Sequence, residues 1–116
     1  MNGALAAVAV AVAVLLLVGR SRRGGKAGMS VVREKIRSGA SIVDVRTPGE
    51  FRQGSYPGAV NIPVDTLQSR LAEIPKGRPV VVFCGSGMRS ARAAKALREA
   101  GYEDVVNAGG LGDMPR

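Results

Sequence analysis

Histidine is absent from this chain, tryptophan is absent, and cysteine occurs once, at position 84. The lack of histidine excludes Cys-His hydrolysis, histidine-held metals and imidazole general-base chemistry. A single cysteine excludes an intramolecular disulfide and any cysteine cage for zinc. No metal and no cofactor are therefore expected. Aromatic residues number four, Phe51, Tyr56, Phe83 and Tyr102. That is too few for the stacking platforms on which single-stranded nucleic acid is bound, and it makes the core aliphatic. A length of 116 residues allows one modest domain and one active site.

The net charge of +8 is unevenly distributed. Four basic residues, Arg20, Arg22, Arg23 and Lys26, follow directly on the apolar run ALAAVAVAVAVLLLV at residues 4–18, and residues 27–116 carry 13 basic and 9 acidic side chains. Most of the electrostatic argument for a nucleic-acid partner disappears with that distribution, and none is expected. Residues 1–19 contain no charge, and as a helix at about 1.5 Å per residue they reach nearly across a hydrocarbon core of about 30 Å. No basic residue precedes the run, unlike a cleaved signal peptide, so it reads as an uncleaved single-pass anchor in the inner (cell) membrane. The basic cluster behind it predicts a cytoplasmic soluble domain. An export signal with an unusual n-region, and hence a periplasmic domain, is the alternative. Residues 20–28, RSRRGGKAG, read as a basic, glycine-rich tether. Residues 29–116 form the domain.

Within that domain Ser30 is placed to cap a short helix with Val31, Val32 and Ile36 on one side and Gly39 as its stop. SIVDV at residues 41–45 reads as a strand ending at the turn residues Thr47, Pro48 and Gly49. A brief strand is expected over residues 60–62, then a short helix with Leu67, Leu71 and Ile74 on one face. PVVVF at residues 79–83 has the continuous apolar character of a strand buried on both sides. A helix from Met88 closed by Gly101 and a last strand within EDVVNAGG complete an α/β alternation with a largely parallel sheet.

Cys84 falls between the apolar strand and the last helix, where open α/β sheets bind ligands. Gly85 and Gly87 are expected to supply positive φ values, so that successive N–H groups converge on one point beside the helix N-terminus. Arg89 adds a cation. In such a cradle the thiol is expected to be more acidic than a free cysteine, without histidine. Ser90 can cap the helix or donate into the loop, and Met88 can form a lip or a core contact.

CGSGMRS at residues 84–90 resembles the active-site loop C-x-x-G-x-R-S of the rhodanese sulfurtransferases. DVRTPGEF at residues 44–51 and GSYPGAVNIP at residues 54–63 are similar to that family's D-V-R-x-x-x-E and G-H-x-x-G-A-x-N-I-P signatures, with Ser55 where histidine is common. GYEDVVNAGGLGDM at residues 101–114 resembles the end of compact single-domain members of the phage-shock type. The resemblance implies a three-layer rhodanese-like α/β fold, a central mostly parallel sheet flanked by helices. It implies a thiosulfate sulfurtransferase in which Cys84 is catalytic and carries sulfur as a persulfide. Gly85, Ser86, Gly87, Met88, Arg89 and Ser90 would then bind the small anionic donor, and a thiol or cyanide would accept the sulfur. Asp44, Arg46 and Glu50 match positions expected to support the site by pairing with one another and with the loop backbone.

Three other functions compete. Cysteine phosphatases and arsenate reductases require five residues between cysteine and arginine, whereas four separate Cys84 from Arg89. A membrane-tethered binding module and a dedicated sulfur carrier would keep the fold with little thiosulfate activity. Any protein partner is unspecified by the sequence.

Overall fold

The computed structural model describes residues 25–116. The anchor expected over residues 1–19 lies outside the described residues, as does most of the tether. Among the described residues no helix is long and apolar enough to cross a membrane.

Helix α1 (Met29–Arg37) leads to β1 (Ser41–Asp44), α2 (Pro48–Gln53) and β2 (Val60–Asn61). A 3-10 segment (Val64–Glu73), β3 (Val80–Cys84), α3 (Met88–Glu99), β4 (Val105–Gly110) and a short 3-10 turn (Leu111–Asp113) follow. The four strands pair in the order β2-β1-β3-β4, all parallel. Side chains alternate across the sheet. Val80, Val82 and Cys84 face one layer, with Ala93, Ala94 and Leu97 of α3 and Leu67 and Ile74. Val81 and Phe83 face the other, with Val32 of α1, Ala108 and Met114. Every residue of β3 is buried, which explains its unbroken apolar sequence. The expected three-layer α/β architecture is present.

Helices α1 and α3 end the same way. Gly39 (φ 90°) and Gly101 (φ 97°) take the left-handed conformation just past each helix. Ala40 and Tyr102 then donate back to the Lys35 and Leu97 carbonyls, both at 3.1 Å, closing Schellman motifs that satisfy the last carbonyls.

Three local expectations differ. Helix α1 starts at Met29, with Gly28 at the N-cap and no side-chain cap, so Ser30 lies in the first turn and not at the cap. The entry angle is set upstream, where Ala27 N–H donates to the Asn107 carbonyl at 2.7 Å and Lys26 bridges to Asn107, holding the end of the expected tether against β4. Thr47, Pro48 and Gly49 open a helix, α2, through a reciprocal Thr47–Glu50 capping box with proline in the first turn. Residues Val64–Glu73 form a 3-10 segment broken at Arg70. The Thr66 and Ser69 hydroxyls donate to carbonyls three residues back, both at 2.9 Å, in competition with α-helical bonding between Pro63 and Pro75.

Candidate active site

Cys84 ends β3, one of the two central strands, and is fully buried. There β3 and β4 fall out of step: Val82 stands opposite Asn107, but Cys84 stands opposite Gly110. The surplus residue makes a bulge in β4, turned by Gly109 at φ 90°. The bulge presses β4 against the cysteine loop. A side-chain carbon at Gly110 would collide with the Gly85 carbonyl.

The loop closes on sulfur. Gly87 N–H donates to Cys84 Sγ at 2.9 Å, and the Ser90 hydroxyl lies 3.3 Å from the same atom. Gly87 is the N-cap of α3 at φ 98°, and no acidic side chain occupies the first turn of that helix, so its positive end faces the loop uncompensated. Gly85 does not share the positive φ expected of it. Its lack of a side chain serves another purpose, because a carbon there would come within 3.1 Å of Arg89 Nη2.

These contacts act on the thiol in opposite directions. Burial pushes it up, while the Ser90 hydroxyl, and after it the N–H groups of Ser90, Gly87 and Ser86, pull it down. The donors prevail, and Cys84 is more acidic than an ordinary thiol. No histidine takes part.

Arg89 forms a forked pair with Glu50, at 2.7 Å to Oε1 and 3.1 Å to Oε2. The Glu50 carboxyl is held down to about 2, chiefly by Arg89 and then by the Thr47 backbone. Arg89 therefore stands at the loop with much of its charge already answered. Asp44 and Arg46 pair with each other: Arg46 Nη2 donates to Asp44 Oδ2 at 2.7 Å and to the Gly54 carbonyl at 2.7 Å, and its backbone N–H donates to Asp44 Oδ1 at 3.0 Å. Ser55 donates to Asp44 Oδ2 at 2.8 Å. The Arg46 guanidinium also lies over the Phe83 ring. So the expected support group divides into two pairs, Asp44–Arg46 beneath the site and Glu50–Arg89 beside it. Gly85, Ser86 and Met88 are the solvent-exposed part of the loop, and Met88, 76% exposed, is a lip residue with no core contact.

Two residues that brace the site were not singled out from the sequence, although Asn61 falls within the N-I-P match. Asn61 Nδ2 donates to the Asp44 and Arg46 carbonyls at 3.0 and 2.9 Å, tying β2 to the support pair. Asn107, buried in β4, accepts from the Ser90 hydroxyl at 2.6 Å and from Gly109 N–H at 2.9 Å, and donates to the Gly87 carbonyl at 3.2 Å. Its signal was an amide inside the apolar run VVNAGG, a polar group that must find partners when buried.

Fold and site together define a parallel α/β domain with a cysteine held in a loop of donors at a strand end. Comparison with known proteins agrees. The rhodanese-like domain family matches residues 29–112, and the chain belongs to that family. A sulfurtransferase of Allochromatium vinosum is 46% identical over 66 residues, which are 57% of this chain and 62% of that protein. The thiosulfate sulfurtransferase PspE of Escherichia coli is 42% identical over 74 residues, 62% of this chain and 71% of that protein. A solved rhodanese with anions from E. coli superposes with a TM-score of 0.62 at 40% identity, covering 66% of this chain and 94% of that one. The chain thus spans less than two thirds of the length of the Allochromatium relative.

Proposed function

We propose that this protein is a sulfurtransferase that carries sulfane sulfur on Cys84. The observation that supports this best is the pair of donors on a buried sulfur, Gly87 N–H at 2.9 Å and the Ser90 hydroxyl at 3.3 Å, at the N-terminal end of α3. Such a sulfur ionises more readily than a free thiol and is stabilised as an anion by groups already in place.

The thiolate lone pair attacks the outer sulfur of thiosulfate and forms an S–S bond. The donor's own S–S bond breaks, and its electron pair leaves with sulfite. The negative charge moves from Sγ to the outer sulfur of the persulfide, and no proton is gained or lost. A thiophilic acceptor, a thiolate or cyanide, then attacks the outer sulfur and returns Cys84 as thiolate. The exposed loop residues Gly85, Ser86 and Met88 form the approach, and Arg89 draws the anionic donor only as far as Glu50 leaves its charge unanswered. The apolar residues 1–19 anchor the domain in the inner membrane, on the cytoplasmic face by the charge rule.

The test is an intact-mass spectrum of the full chain after exposure to thiosulfate, beside Cys84→Ser. One added sulfur atom on the parent alone, removed again by cyanide, is expected. Sulfur acquired from a small persulfide but not from thiosulfate would make the protein a dedicated carrier. No sulfur from either donor on a folded parent would overturn the proposal. Protease accessibility of the domain in intact cells and in inverted membrane vesicles tests its location.

A further inference from the structure

The amide of Asn107 touches Gly87 and Ser90, two of the residues that donate to Cys84, yet these two contacts differ in consequence. Toward Gly87 it is redundant, because the Gly87 carbonyl also accepts the Ala91 N–H at 3.0 Å, the first bond of α3. Toward Ser90 it is in competition with the sulfur. A hydroxyl has one proton to donate. Three acceptors surround that of Ser90: Asn107 Oδ1 at 2.6 Å, Cys84 Sγ at 3.3 Å and the Gly109 carbonyl at 3.4 Å. By distance Asn107 holds the strongest claim.

Oδ1 of Asn107 also has a second partner. Gly109 N–H donates to it at 2.9 Å, so this oxygen stays satisfied when the Ser90 proton turns away. The Ser90 oxygen is buried among the three acceptors, and turning about one bond redirects its proton without moving a heavy atom.

We propose that Asn107 Oδ1 is the alternative seat of the Ser90 hydroxyl proton, which points to Sγ while the sulfur is a thiolate and to Asn107 when Sγ is uncharged. The inference rests on the persulfide chemistry above for its place in the cycle. During loading the charge leaves Sγ for the outer sulfur, and a donor fixed on Sγ would oppose that movement. With Asn107 present the proton follows the charge: one hydrogen bond changes acceptor, no covalent bond to hydrogen breaks, and nothing is oxidised or reduced beyond the sulfur transfer itself. Asn107 is thus a positioning residue that acts through Ser90. Ion pairs around the loop include Arg89–Glu50, Arg46–Asp44 and Lys26–Asp113.

The experiment measures the rate of Cys84 alkylation by iodoacetamide against pH in the full chain, for the parent, Asn107→Leu, Ser90→Ala and the double variant, with thermal melting alongside. Freed from Asn107, the Ser90 hydroxyl turns to Sγ, and Asn107→Leu lowers the midpoint by about half a unit to one unit, part of one hydrogen bond to a charged group. Ser90→Ala raises it. In the Ser90→Ala background Asn107→Leu shifts nothing, because its effect travels through the hydroxyl. An unchanged or raised midpoint in Asn107→Leu, or an equal shift with and without Ser90, overturns the proposal and leaves Asn107 a packing amide whose loss lowers only the melting temperature. Asn107→Ala gives the same readout should the leucine variant fail to fold. A parent that follows the expected profile but takes up no sulfur would refute the transfer chemistry while the competition for the proton stands.

Discussion

Gly110→Ala is a small change with a large expected effect. Gly110 has an ordinary extended backbone (φ −89°, ψ 167°) that any residue adopts, so alanine meets no conformational strain of its own there. Its obstacle is steric: the added carbon would collide with the Gly85 carbonyl, a backbone atom of the cysteine loop, which no side-chain rotation can move aside. Restoring an ordinary contact requires a retreat of about 1 Å by one backbone or the other. Overpacking of this kind costs about 1–3 kcal/mol, and each kcal/mol lowers the melting temperature of a domain this size by roughly 4–8 °C. The retreat also carries the loop donors away from sulfur, and a 1 Å misplacement of reacting groups costs about 100-fold in rate. Stopped-flow or quenched measurement of sulfur loading, with a urea melt of the same preparation, reads both quantities. Gly112→Ala is the control: no atom lies within 4 Å of the added carbon, and stability should stay within about 0.5 kcal/mol of the parent. If Gly110→Ala loads sulfur within threefold of the parent, β4 does not brace the loop and this account of the site is wrong.

The remaining predictions concern the two ion pairs. Glu50→Gln keeps a side chain fit for the capping box but withdraws the charge that answers Arg89, so kcat/KM for thiosulfate should rise several-fold relative to that for a neutral persulfide donor. An unchanged ratio would show that Arg89 does not meet the donor. The Glu50 carboxyl lies below its unfolded value, at about 2, so its stabilising contribution is complete above about pH 4.5 and is lost as the pH falls toward 2. Parent and Glu50→Gln melting curves should therefore differ by a constant amount above pH 4.5 and draw together as the pH falls to 2; a gap undiminished at pH 2 would assign the effect to something other than ionisation. Asp44→Ala should cost about 3–5 kcal/mol in a denaturant melt, since it leaves the buried Arg46 guanidinium without its counter-charge. A loss below about 1 kcal/mol would mean that Phe83 and the Gly54 carbonyl suffice.

The parts legible in the sequence were those with local causes. PVVVF announced a strand buried on both faces because a strand's environment is written in its own side chains, and Gly39 and Gly101 announced helix ends because only a residue without Cβ enters the left-handed region cheaply. The capping box of α2 was equally local, in the spacing of Thr47 and Glu50, but Thr-Pro-Gly also reads as a turn, and that second meaning hid the helix. The 3-10 segment was obscured because leucine and isoleucine spacing does not report the hydroxyl groups that compete for its carbonyls.

The site divides along the same line. The sequence alone determined that one thiol at the end of a buried strand, followed by a glycine turn, an arginine and a helix, would be an activated sulfur without help from histidine. Those properties depend on neighbours within seven residues. Tertiary structure decided which charges meet. Glu50 answers Arg89 across 39 residues of chain while Asp44 takes Arg46. It also decided that Gly85 is needed for space and not for φ, and that an amide in the last strand accepts from Ser90, whose hydroxyl also lies beside Cys84 Sγ. Pairings of this kind depend on the register and bulge of parallel strands, and a parallel sheet brings together residues whose separation along the chain carries no trace of their contact.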